Sequence, residues 1–204
     1  MIAIVDYGVG NLFSLRSSFA AIGREVVVTG DAAALRTAER IVLPGVGAFG
    51  DAAEKLRKTG LDAAVKAEAA LGKPLLGICL GMQLLFDKSY EYGEHAGLGL
   101  IPGAVKPIAD VIPPDYKIPH IGWNALHLAT PSPLMKYTHD GDCVYFVHSF
   151  AAFDCADSVI ATAEYGPELT AAVQRNNVYG CQFHPEKSGR VGLDILKAFC
   201  EVEA

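Results

Sequence analysis

The 204-residue sequence has no C-x-x-C pair, no run of basic residues and no uninterrupted apolar stretch approaching the length of a membrane span. Each absence removes a class of function. The five cysteines (Cys79, Cys143, Cys155, Cys181 and Cys200) are odd in number and widely spaced. That argues against a zinc site or a disulfide framework and for free thiols in a reducing compartment. The 23 acidic and 17 basic residues are scattered and leave a net charge of −6, so neither nucleic acid nor an anionic membrane is an expected partner. Spanning a bilayer takes roughly 20 apolar residues in succession. The opening Met1-Ile2-Ala3-Ile4-Val5-Asp6 carries neither a basic leader nor a long apolar core, and a cytoplasmic protein is expected. No P-loop, serine elbow or paired-carboxylate motif is present. Gly8-x-Gly10 lacks the third glycine of a dinucleotide fingerprint, its place being taken by Phe13. The histidines lack ligand-spaced companions. Neither cofactor nor metal is expected, and with no repeat or low-complexity linker the chain reads as one domain, 1–204.

What is present is a core-forming chain, 51% hydrophobic, whose first half alternates strand and helix patterns. Apolar runs at 2–5, 25–28, 40–43 and 75–78 read as strands. Helical periodicity follows each, at 12–22, at 31–37 with Asp31 as N-cap, at 51–58 and 61–71, and at 80–86. Such alternation predicts an α/β fold with a parallel sheet. Beyond Asp87 the pattern changes. Prolines 102, 107, 113, 114, 119, 131 and 133 exclude long helices, and extended segments at 104–108, 118–128, 143–150, 159–165 and 170–175 read as a mostly antiparallel extension of the sheet. A last strand, 178–183, precedes a closing amphipathic helix from Gly189 with Val191, Ile195, Phe199 and Val202 at helical spacing.

The chemistry concentrates at strand ends. Cys79 stands between Gly77 and Gly81 where a short apolar strand gives way to helical periodicity, the pattern of a nucleophile elbow. At a helix N-terminus, backbone N–H groups and the dipole favour a thiolate and can hold an oxyanion. A buried structural cysteine is the competing reading. His184 and Glu186, two apart at the end of the last strand, project to the same side if the segment is extended, so that the carboxylate orients the imidazole. Cys79 ends a different strand, and where a doubly wound sheet makes the two strand ends neighbours the three form a nucleophile, base and orienter. Residues 44–47 place glycines on both sides of Val46 at the end of the third strand. These serve either as a plain turn or as a loop whose peptide N–H can approach a ligand. By strand alternation His148 is expected to pack among aromatic residues.

Gly77-Ile78-Cys79-Leu80-Gly81-Met82-Gln83 and Phe183-His184-Pro185-Glu186 resemble the two signature motifs of the class I, or triad-type, glutamine amidotransferases. Four further segments resemble one branch of that family, the glutaminase subunits of imidazole glycerol phosphate synthases. They are Asp6-Tyr7-Gly8-Val9-Gly10-Asn11, Pro44-Gly45-Val46-Gly47, Pro119-His120-Ile121-Gly122-Trp123-Asn124 and Tyr145-Phe146-Val147-His148-Ser149. The resemblance implies a flavodoxin-like three-layer αβα sandwich. It implies that Cys79 attacks the glutamine side-chain amide to form a thioester, that His184 relays protons and that Glu186 orients His184. Val46 and Leu80 would form the oxyanion hole, and Gly47, Gln83, Ser149 and Phe150 the glutamine pocket, with Phe150 standing where the family usually has tyrosine. Ammonia would pass to a separate (β/α)₈-barrel cyclase subunit in a heterodimer, docked against Pro119, His120, Trp123, Asn124 and Tyr145, and the Gly45–Val46 peptide would act as the switch by which that partner raises activity. The rival readings are another triad amidotransferase subunit, a cysteine peptidase or chaperone of the related superfamily, and a non-catalytic module.

Overall fold

Strands covered by helices on both faces must be apolar along their whole length rather than alternately, and the runs with that character form the centre of the sheet. The computed structural model describes residues 1–203, so the last residue of the expected domain lies outside the described residues. In it β1 (Ile2–Val5) and β4 (Leu75–Ile78) are buried at every position and β3 (Arg40–Leu43) nearly so, while β2 (Val26–Thr29), the edge strand, is half-buried throughout. The helices fall into two layers. α1 (Leu12–Ala21) and α6 (Gly189–Glu201) cover one face, where Leu15, Phe19, Ile195 and Phe199 pack on Ile4, Val42 and Leu76. On the other face α2 (Ala32–Thr37), α3 (Phe49–Lys58) and α4 (Leu61–Ala70) set Leu35, Leu56 and Val65 against Val5, Ile41, Leu43 and Leu75. Asp31 caps α2 as its position predicts, its Oδ1 accepting from the Ala33 N–H at 2.9 Å. Arg40 closes the other end of α6 by donating to the carbonyls of Phe199 and Val202, where a cation also suits the helix dipole.

After the one-turn α5 (Leu80–Gln83) come β5 (Phe86–Ser89), β6 (His95–Ala96), β7 (Ile101–Pro107), β8 (His120–Ala125), β9 (His127–Leu128), β10 (Cys143–His148), β11 (Phe150–Phe153), β12 (Val159–Glu164), β13 (Glu168–Arg175) and β14 (Val178–Cys181). The main sheet runs β2-β1-β3-β4-β14-β13-β12-β9, parallel from β2 to β14 and antiparallel beyond. The expected α/β architecture, a mostly parallel sheet with an antiparallel extension between helical layers, is the one observed.

Two expectations are corrected. The helix predicted over 80–86 ends after Gln83, and Phe86 begins a strand. The N–H groups of Leu98, Leu100 and Ile101 bond to the carbonyls of Leu84 and Leu85, and β5 pairs with β7. The apolar spacing of Leu84, Leu85 and Phe86 thus reflects burial in the core, not helical period. The antiparallel extension is also not one piece. The segment 143–150 breaks at Ser149, β10 pairing with β8 in a two-stranded sheet while β11 joins β7, β5 and β6 in a four-stranded one.

Candidate active site

The order β3-β4-β14 brings three chain-distant loops to one point. Parallel register aligns Leu43 with Gly77 and Cys181 with Ile78, and the Cys79 N–H donates to the Cys181 carbonyl at 2.7 Å. Residues 44–47 therefore leave the sheet on one side of Cys79 and residues 182–186 on the other. Cys79 itself has φ 55° and ψ −114°, a conformation costing roughly 1–3 kcal/mol for a non-glycine residue. The turn is held by close backbone packing: a Cβ on Gly81 would collide with the Leu43 carbonyl, and one on Gly45 would lie 2.7 Å from the Gly81 nitrogen. Because α5 is a single turn, its dipole is small; the chemistry left to the elbow lies in the N–H groups of its first residues, which have no partner within the helix.

His184 and Glu186 meet, but not as alternate residues of a strand. β14 ends at Cys181, and Pro185–Lys187 forms a 3₁₀ turn across which His184 Nδ1 donates to Glu186 Oε1 at 2.8 Å. That leaves Nε2 for the thiol. Burial would push the imidazole down, yet hydrogen bonds to Cys79 and to Glu186, with the negative charge of both, raise it from 6.5 to about 9. The His184 N–H donates to the Tyr145 carbonyl at 3.0 Å, and Ser188 Oγ ties the two segments by donating to the His184 carbonyl and accepting from the Tyr145 N–H. β10 thus carries the imidazole's backbone.

A cavity of about 330 Å³ opens over Cys79, lined by Val46, Gly47, Leu80, Gln83, Ser149, Phe150 and His184. The expected thiol, base, oxyanion residues and substrate residues therefore share one pocket, with Glu186 buried behind His184. Gly47 has φ 92°, which favours glycine there. The buried Tyr7 hydroxyl donates to the Pro44 carbonyl at 2.8 Å and so anchors this loop; burial, and after it the charge at Cys79, hold the phenol far above its ordinary range. The Phe150 carbonyl accepts from both Gln83 Nε2 (3.0 Å) and His148 Nδ1 (2.9 Å). His148 packs against Phe146 as expected, and also lines the cavity. Burial lowers its pKa to about 4.

The expected docking residues divide. Trp123 is 56% exposed, beside Ile121 at 58%, and its ring meets that of its cross-strand partner Tyr145 edge-on at 6.1 Å. Pro119 lines the cavity. His120 departs from its expected place: its ring is buried, stacked on Tyr165 at 3.9 Å and paired with His148 at 3.0 Å. Asn124 is tied to His120 and to the Glu164 carbonyl. Three residues were not singled out from sequence. Glu91, whose Oε2 accepts from the Phe49 N–H, presents a carboxylate to the cavity. Lys187 lines it beside the Tyr145 ring. Gln182 is wholly buried between Gln83 and Cys79. Gln182 and Lys187 flank the His184–Glu186 motif, a signal of adjacency alone; Glu91 has no local signal.

A family model described as glutamine amidotransferase class-I matches residues 3–202. The chain is 50% identical over 201 residues to the imidazole glycerol phosphate synthase subunit HisH of Lactococcus lactis subsp. lactis, covering 98% of both chains. To the subunit of the same name from Wolinella succinogenes it is 48% identical over 204 residues, covering 99% of this chain and 100% of that one. Among solved structures, a crystal structure of a glutamine amidotransferase matches with a TM-score of 0.77 at 18% identity, covering 98% of each chain. PurLQS from Thermotoga maritima gives 0.76 at 21%, covering 98% and 97%. At those identities the likeness is one of fold.

Proposed function

The chain belongs to the class-I glutamine amidotransferase family, and from that premise we propose that it is the glutaminase subunit of an imidazole glycerol phosphate synthase, supplying ammonia for histidine biosynthesis. The observation that carries the chemistry is the convergence of Cys79 and His184 on one cavity, with Glu186 bonded to His184 from behind. The Cys79 thiolate attacks the side-chain carbonyl carbon of glutamine. The oxygen takes up the negative charge facing the N–H groups of Val46 and Leu80. The imidazolium of His184 protonates the leaving nitrogen, ammonia departs and a glutamyl thioester remains. Water, deprotonated by His184, then cleaves the thioester to glutamate and restores the thiolate. Glu186 keeps the imidazole in register throughout. Gly47, Gln83, Ser149 and Phe150 form the glutamine pocket, and Glu91 is suited to the substrate's ammonium group. Phe150 contributes its main-chain carbonyl as an anchor for Gln83, a role that needs no side-chain hydroxyl.

The partner in this reading is a (β/α)₈-barrel cyclase forming a heterodimer, which closes the imidazole ring and releases imidazole glycerol phosphate with an aminoimidazole carboxamide ribonucleotide. Exposed Trp123 and Ile121 support docking through β8, and the backbone bonds from β10 to His184 offer a path from that face to the triad. We read residues 1–204 as one domain acting in the cytoplasm; among the described residues no helix is long and apolar enough to cross a membrane. The Gly45–Val46 peptide, next to the elbow, is the element a partner would set. The test is ammonia release from glutamine with and without the cyclase and its nucleotide ligand. Strong stimulation is expected; equal rates overturn the partner reading, and release that survives Cys79→Ala overturns the nucleophile.

A further inference from the structure

Behind the cavity wall lies a buried amide, that of Gln182, whose orientation is forced. The Phe150 carbonyl can only accept, so the side chain of Gln83 must turn its nitrogen toward it, at 3.0 Å. The same nitrogen meets Gln182 Oε1 at 2.9 Å. Were Gln182 turned over, two NH₂ groups would face each other, so its oxygen points to Gln83 and its nitrogen to the Cys79 sulfur, 3.9 Å away. Gln182 has no freedom to avoid this: it is fully buried, and its own N–H is bonded to the Ala171 carbonyl at 2.8 Å.

We propose that Gln182 is a further catalytic residue of this site, donating its side-chain N–H to the Cys79 sulfur and so favouring the thiolate over the thiol before glutamine binds. The inference rests on the reading of Cys79 as the nucleophile. An N–H directed at a thiol sulfur gains little, because neutral sulfur is a weak acceptor; directed at a thiolate it makes a charge-assisted bond, here from a donor that is itself fully buried. His184 and Gln182 then hold the sulfur from two directions, one with a mobile proton and one with a fixed dipole. Only His184 has to let go when the leaving nitrogen takes its proton. Gln182 remains bonded to the sulfur when the thiolate is regenerated, and costs no rearrangement within the cycle.

The experiment is the pH dependence of Cys79 alkylation by iodoacetamide in the intact chain, read at that residue by peptide mass spectrometry because the exposed Cys143 would react too. Gln182→Met keeps length and removes the donor. Its alkylation profile is expected to move up by about one pH unit, giving roughly tenfold slower reaction on the acid limb and an unchanged rate on the alkaline plateau. The acid limb of glutaminase kcat/KM should move by the same amount. Gln182→Asn, whose amide is too short to reach the sulfur, carries the test if the methionine variant does not fold. Superimposable profiles, or a uniform fall at every pH, overturn the role of Gln182. If Cys79→Ala still releases ammonia, the nucleophile reading falls first, and that outcome is distinct from a Cys79 that reacts normally but ignores residue 182.

Discussion

Replacing Glu186 by glutamine removes a charge while nearly keeping a shape, and its effect should depend on pH in a way that packing alone cannot produce. His184 is raised from 6.5 to about 9 although burial alone would lower it. A histidine raised in the folded state adds stability that is fully present below the unfolded value and is lost as pH climbs through the folded one. Between pH 6 and pH 10 that amounts to about 3 kcal/mol. The stabilisation comes from Cys79 and Glu186, so Glu186→Gln should forfeit much of it at pH 6, a loss of roughly 2–4 °C in Tm per kcal/mol for a chain of this size. At pH 10 both imidazoles are neutral and the two proteins should converge. Thermal denaturation of wild type and variant at the two pH values measures this double difference. A destabilisation equal at both would mean that Glu186 supports the fold through contacts and not through the imidazolium. In the same variant kcat for glutamine cleavage should fall by about 10²–10⁴-fold, as when other triads lose their orienting charge.

His148 works with the opposite sign. Burial holds it near 4, so unfolded chains bind a proton that the native state refuses, and stability should fall by up to about 3 kcal/mol as pH drops from 6.5 toward 4. Urea unfolding of His148→Gln should show a flatter acid limb. Gly47→Ala probes the oxyanion loop by conformation alone, since a Cβ there meets nothing within 4 Å while φ is 92°. It should cost about 1 kcal/mol in stability but lower stimulated glutaminase kcat at least tenfold; an unchanged kcat would clear the loop of a catalytic part. It is a cleaner probe than proline at Gly45, which would also strike the elbow. Trp123→Ala should weaken cyclase binding, measured by calorimetry, by about 2 kcal/mol or roughly thirtyfold, with cyclase-independent glutaminase activity unaltered; undiminished affinity would remove β8 from the interface.

How much of this was readable in advance depends on the range of the interactions involved. β3 and β4 lie where apolar runs bounded by turn residues put them, and Asp31 caps α2, because those signals are local. The motif residues were readable as chemistry, yet their assembly depends on β4 lying between β3 and β14, an order no local pattern encodes. The misread features are those where tertiary contacts overrode a local period. Leu84 and Leu85 have helical spacing but give their carbonyls to residues 98, 100 and 101. His120 stands beside exposed Ile121 and Trp123 yet turns inward to a stack with Tyr165 and a bond with His148. Glu91 and Gln182 were unreadable for a further reason: a carboxylate on a loop and an amide just past the end of a strand acquire function only through what faces them. For Gln182 that is a chain of bonds beginning at the main-chain carbonyl of Phe150. Since that carbonyl and not the ring orients the chain, the side chain at residue 150 has no part in aiming Gln182 at the sulfur.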